Sequence, residues 1–285
     1  FQPKFRADSI LREVHVTDFL RQNGISVSEY IPCRNGDFYF MQNGRIAILQ
    51  AFIPGQTREK GCCSKRELLD SARLLAQIVN ALEHYPYDDL LPCEISRYGS
   101  AARLLQAKAA CADLMAAAHA DAVHGAEICR DLQDRLVMIA RVSDAGAFVN
   151  TNALTLKRSH GDYSVMQLLY DGSEIKAVLD FVNAGEVPIA WELIRSYSYM
   201  DCTFNAARLA AYTNEYRRYA EVSMDDLRYM PYLYLDQLLS STYGYKQYLQ
   251  TGDEELLAFG RWRTEMCRYL IANAGEVSAE LVRLT

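Results

Sequence analysis

Residues 159–180 read SHGDYSVMQLLYDGSEIKAVLD. Leu168–Tyr170 and Ala177–Phe181 are short apolar runs separated by the turn-forming DGSEIK, a pattern that predicts a β-hairpin. With the hairpin centred between Ser173 and Glu174, Gln167 lies directly across from Asp180. Facing residues of an antiparallel pair have Cβ atoms about 4.5–5.5 Å apart. An amide oxygen and a carboxylate then meet at the open end of the hairpin, and Asp162 enters the same end from the preceding loop. Three oxygen-bearing side chains form a hard-ligand site suited to Mg²⁺, which takes few protein ligands and completes its octahedron with water and phosphate oxygens.

Working outward, residues 8–23 predict an amphipathic helix. Asp8 or Ser9 can cap its start, Ile10, Leu11, Val14 and Phe19 form the apolar stripe, and Gly24 stops it. The run DFYFMQNGRIAILQAFI, residues 37–53, reads as two strands joined by Asn43–Gly44, a strong hairpin signal, and Pro54–Gly55 ends it. Ser64 with Glu67 makes a capping box ahead of an apolar-periodic helix reaching His84. Further helices are predicted near 100–118, 124–143, 191–199, 205–220, 225–250 and 253–273. The chain therefore reads as a small β-containing portion to about residue 55 followed by a mostly helical portion.

Composition narrows the function. The formal net charge of −6, with no basic run, argues against a nucleic-acid footprint. No apolar stretch approaches the roughly 20 residues that span a bilayer, so no membrane partner is expected. Eight cysteines lie scattered without a C-x-x-C pair, which favours free thiols and a reducing, cytoplasmic setting. His119 and His124 lack a zinc-protease spacing. The tyrosines at 229, 232, 234, 243, 245 and 248 fit either packing at helical spacing or a cage for a cationic ligand.

His160-Gly161-Asp162, four further residues, the carboxamide of Gln167 and then Asp180-Phe181 resemble the aminoglycoside phosphotransferase/choline kinase family, relatives of the protein kinases. There the pattern is H-G-D-x-x-x-x-N, a hairpin and an Asp-initiated metal loop. Trp191-Glu192-Leu193-Ile194-Arg195 resembles the helix start that follows that loop. Gln167 stands where the family has Asn, and Ser164-Val165 where it often has His-Pro. The resemblance implies an α+β, protein-kinase-like two-lobed fold. Residues 1–55 would be the remainder of the small nucleotide-binding lobe and the hinge, and 56–285 the large helical lobe. Three strands precede the glutamate helix in the family, whereas seven residues precede Asp8 here and the chain starts at Phe1. The N-terminal β lobe is therefore expected to be incomplete, as in a truncated chain.

The resemblance also assigns roles. Asp162 would orient the acceptor hydroxyl and take its proton, Asp180 and Gln167 would bind Mg²⁺, and Glu13 would occupy the place of the small-lobe glutamate that pairs with a phosphate-contacting lysine. The Ala51 carbonyl and the Ile53 N–H would hold adenine at the hinge. His160 is expected to bond the loop backbone rather than act as a base. The implied activity is transfer of the γ-phosphate of ATP to a hydroxyl of a small molecule such as an aminoglycoside, a choline-like amine or homoserine. A non-catalytic, nucleotide-binding or regulatory member of the same fold is the alternative. Nothing in the sequence speaks to oligomeric state.

Overall fold

The computed structural model describes residues 7–144, 149–201 and 203–283, which divide into two compact units. The first gathers Phe1–Cys93 and Thr155–Ser223, and the second Glu94–Leu154 and Met224–Arg283. Residue 55 falls within the first unit.

In the first unit, α1 (Ala7–Gln22) ends in a Schellman motif: the N–H of Gly24, at φ +79°, donates to Arg21 O and that of Ile25 to Leu20 O, both at 3.0 Å. Its buried face differs from the expected stripe. Leu11 is 40% exposed, whereas Ile10, Glu13, Val14, Thr17 and Leu20 point inward. Thr17 is tolerated there because its hydroxyl donates to the Glu13 carbonyl at 2.9 Å, satisfying the buried polar group within the helix. Strands β1 (Phe40–Gln42) and β2 (Arg45–Ala47) pair across Asn43 and Gly44, both at positive φ, as the sequence predicts, but each is only three residues long. Ile10, Val14 and Tyr30 form the small core beneath them.

α2 (Lys65–Glu83) starts on the expected capping box: the Glu67 N–H donates to Ser64 Oγ and the Ser64 N–H to Glu67 Oε2. Strand β3 (Leu156–Ser159) pairs antiparallel with β6 (Gly185–Pro188), and β4 (Leu168–Asp171) with β5 (Glu174–Val178). Helices α5 (Ile189–Met200) and α6 (Ala206–Arg217) complete the unit. The β4–β5 hairpin is its hub. Gln56 and Tyr170 exchange two backbone bonds of 2.9 Å, and the Val178 N–H donates to Ser26 O at 3.0 Å. The segments around 26–31 and 49–56 are thereby fixed to the same hairpin.

The second unit is helical among its described residues: α3 (Ala101–Ala118), α4 (Gly125–Asp144), α7 (Met224–Leu239), α8 (Tyr243–Thr251) and α9 (Glu254–Arg283). The single helix expected over 225–250 is broken between α7 and α8. The buried guanidinium of Arg135 accounts for the break, because it donates to the carbonyls of Leu238, Leu239 and Ser241 and so takes over the C-terminal acceptors of α7. Of the six tyrosines singled out, three are core residues. Tyr234, Tyr245 and Tyr248 are buried; Tyr245 donates to Asp131 and Tyr248 to Asp121, while Tyr243 is half exposed.

Candidate active site

β3 delivers the H-G-D loop. His160 is fully buried; its Nε2 donates to Leu179 O at 2.9 Å and its Nδ1 accepts the Asp162 N–H at 3.3 Å. Burial pushes its pKa down to about 4, so the ring is neutral and carries its proton on Nε2. His160 is thus the loop-bracing histidine the sequence predicts. Gly161 sits at φ +77°, and a Cβ there would lie 2.1 Å from the Asn183 carbonyl oxygen. Only glycine lets the Asp162 loop approach the Asp180 loop this closely.

The β4–β5 hairpin turns between Gly172 and Ser173, one position earlier than the sequence predicts, and Lys176 bulges out between the Tyr170–Ile175 and Leu169–Ala177 pairs. Gln167 therefore faces Leu179, whose N–H donates to Gln167 O at 2.8 Å, and not Asp180. The Gln167 side chain turns locally, its Oε1 accepting from the Ser164 hydroxyl. Asp180 lies one residue beyond the ladder in the left-handed region, at φ +62°, where a non-glycine residue is strained. Burial, then the charge of Asp162, push its carboxyl above the ordinary carboxylate range.

Glu13 reaches this loop from α1. Its Oε1 accepts the Phe181 N–H at 2.9 Å, and Arg12 donates to Val182 O at 2.8 Å. Burial, with a smaller contribution from Asp180, raises the Glu13 carboxyl, while a hydrogen bond from Tyr30 opposes the rise. At the expected hinge, the Ala51 N–H is taken by Glu29 O at 2.8 Å. The Ala51 carbonyl and the Ile53 N–H have no backbone partner among the described residues, which leaves both polar groups available to a ligand. Asp162, Asp180 and Glu13 thus come together around two loops, Gln167 sits at the base of the same hairpin, and Ala51 and Ile53 lie on a segment anchored to it.

Among the described residues no group of three His, Cys, Asp or Glu could hold a metal. Asp180 and the amide oxygen of Gln167 are nonetheless hard oxygen donors. The mutual repulsion of Asp180 and Asp162 is relieved by a cation, so the residues present fit Mg²⁺.

The family model described as the phosphotransferase enzyme family matches residues 1–222. The chain belongs to this family. Among solved structures similar to this phosphotransferase-family chain, the AMP-bound spectinomycin phosphotransferase APH(9)-Ia gives a TM-score of 0.61 at 13% identity, covering 96% of this chain and 84% of that one. An aminoglycoside phosphotransferase from Alicyclobacillus acidocaldarius gives 0.60 at 12% identity, with coverages of 96% and 85%. Amicoumacin kinase hAmiN, solved with AMP-PNP, Ca²⁺ and Ami, gives 0.58 at 14% identity, with coverages of 93% and 78%. No curated protein matches the chain. The fold is accordingly α+β and protein-kinase-like. No helix among the described residues is long and apolar enough to cross a membrane, and none of the seven described cysteines forms a disulfide; Cys202 lies outside the described residues.

Sequence reasoning about this phosphotransferase-family chain left the α5 residues without roles. Glu192, fully buried, accepts the Tyr163 N–H at 3.2 Å. One turn later Arg195 donates to Tyr163 O at 3.2 Å and to the carboxylate of Asp162. The available signal was the spacing Glu-x-x-Arg just after the Asp180 loop, which puts both side chains on one helix face.

Proposed function

We propose that the chain is a small-molecule kinase that moves the γ-phosphate of ATP to an alcohol, with residues 1–55 serving as nucleotide-binding lobe and hinge and 56–285 as the larger lobe. One observation carries this reading. Asp162 and Asp180 stand in two closely packed loops, each held by its backbone, so that one carboxylate is left for a proton and the other for a cation.

Asp162 accepts the proton of the acceptor hydroxyl as its oxygen bonds to the γ-phosphorus and the bond to ADP breaks. Asp180 and Gln167 are the residues to hold Mg²⁺, which when bound neutralises charge on the phosphates. The Ala51 carbonyl and the Ile53 N–H offer one acceptor and one donor to the adenine edge. Glu13 fixes the Asp180 loop through Phe181. The protein is asked for positioning and charge placement rather than covalent chemistry. Aminoglycosides, amino alcohols such as choline, and homoserine are the acceptor classes to try.

The test pairs calorimetry with turnover. ATP should bind more tightly with Mg²⁺ than without it, and Asp162→Ala should abolish transfer from ATP to the best acceptor while ATP affinity stays within about threefold. Near-normal turnover in Asp162→Ala refutes the role of Asp162, and ATP binding indifferent to Mg²⁺ refutes the kinase reading and favours a non-catalytic binding module.

A further inference from the structure

We infer that Arg195 is the positioning residue for the proton acceptor: its guanidinium holds one oxygen of Asp162 and thereby presents the other to the acceptor hydroxyl. The inference rests on the phosphotransferase reading of Asp162. Arg195 touches Asp162 through Nη2 to Oδ1 and the backbone beneath it through Nη1 to Tyr163 O, so one planar fork spans the carboxylate and its neighbouring peptide.

The fork is itself immobilised. Its side chain is 12% exposed, and its central carbon lies 5.0 Å from the Tyr199 ring centroid and 5.6 Å from that of Trp191. These rings come from one turn before and one turn after on α5, so the cation is flanked by aromatic groups. Lys60 places its ammonium 5.2 Å from the same Tyr199 ring, adding a second contact to it.

Asp162 needs such a partner. Its side chain is 30% exposed and faces the like charge of Asp180, while His160 beneath it is neutral. Arg195 is the positive group in contact with it. A bracing role alone would be met by the bond to Tyr163 O and the two rings. The bond to Oδ1 adds a fixed carboxylate plane, with Oδ2 left as the oxygen that takes the hydroxyl proton. Phosphoryl transfer depends on in-line placement of the attacking oxygen, so a rotated carboxylate costs rate even when its basicity is unchanged.

The experiment uses the whole chain with Arg195→Met, which removes the charge, and Arg195→Lys, which keeps it. Urea melts first show that each variant is folded, and turnover is then split into kcat and the ATP KM. With the best acceptor, Arg195→Met should lose roughly 10- to 100-fold in kcat with the ATP KM changed by less than about threefold, and Arg195→Lys should recover part of it. An unchanged kcat in a folded Arg195→Met, or a kcat in Arg195→Lys no higher than in Arg195→Met, overturns the inference. If Arg195→Met does not fold, a lowered kcat at unchanged ATP KM in a folded Arg195→Lys, whose ammonium lacks the planar fork, sustains it, and a wild-type kcat in Arg195→Lys overturns it. Wild-type protein that transfers phosphate to no acceptor refutes the phosphotransferase reading, and the inference with it.

Discussion

Glu192 gives a sharp test of how the Asp162 loop is held. Its carboxylate is fully buried and accepts the Tyr163 N–H at 3.2 Å. Glu192→Ala strands that donor in the interior, at a cost of about 1–3 kcal/mol. The lost methylenes and the space they leave add about 1–2 kcal/mol, for a total near 3 kcal/mol. Glu192→Gln keeps an acceptor in place and should lie within about 1 kcal/mol of wild type at neutral pH. The two variants also separate by pH. Burial is the largest influence on Glu192 and raises its carboxyl above the ordinary 4.5, outweighing the N–H that pulls it down. The folded chain therefore keeps this proton over a range in which the unfolded chain has lost it. The stability it contributes is full below 4.5 and declines as pH rises through the raised value. Gln has no such term, so Glu192→Gln should gain on wild type as pH climbs above 4.5. The assay is urea unfolding followed by tryptophan fluorescence. Trp191 and Trp262 are the two tryptophans and lie in different units, so a Trp262→Phe background reads the first unit alone. Equal losses in the Ala and Gln variants, or a Gln variant that loses ground to wild type as pH rises, would refute the reasoning.

Two further outcomes follow from the same physics. Asp236, buried in the second unit, accepts the Gly99 N–H at 3.0 Å, and burial lifts its carboxyl from 3.8 to about 6. Its contribution is present below 3.8 and lost as pH rises through about 6, a change of about 3 kcal/mol at most. Asp236→Asn, which keeps an acceptor for Gly99, should thus be more stable than wild type at pH 7 and not at pH 3.5, as unfolding at the two pH values will show. Gly161→Ala combines a left-handed φ of +77° with a Cβ 2.1 Å from the Asn183 carbonyl oxygen. It should cost about 3 kcal/mol or more in a urea melt and lower turnover by displacing Asp162.

What the sequence made legible was local. The Ser64–Glu67 capping box, the Asn43–Gly44 turn and the Gly24 helix stop each depend on residues within one turn of the chain, and each forms as expected. The H-G-D loop and the aspartate after the hairpin were legible for the same reason. The misses came from long-range partners. α7 ends where it does because Arg135 arrives from α4, and no residue near 240 announces it. Glu13 is expected at the site, but its partner, the Phe181 N–H, comes from 168 residues along the chain. The hairpin register moved because Lys176, an ordinary strand residue, sits in a bulge that neither glycine nor proline marks.

The two aspartates are held by one device used twice. Each is followed by an aromatic residue with a fully buried side chain, Tyr163 after Asp162 and Phe181 after Asp180, and both rings pack on His160, with centroids 5.8 and 4.5 Å away. Each aromatic residue donates its N–H to a buried glutamate from a different helix, Tyr163 to Glu192 of α5 and Phe181 to Glu13 of α1. Burial raises both glutamates, so each costs stability in its ionised form. A single aspartate could be steered more cheaply by bonds to its own carboxylate, but those bonds would occupy oxygens that the proposed chemistry needs. Gripping the next peptide instead fixes where each aspartate stands and leaves the Asp180 carboxylate for the proposed cation. Arg195 is the exception: it takes one oxygen of Asp162, the residue for which a second oxygen suffices. On this argument the stability lost to the two buried glutamates is the cost of pre-organising the site, and removing either should loosen one aspartate while the other keeps its place.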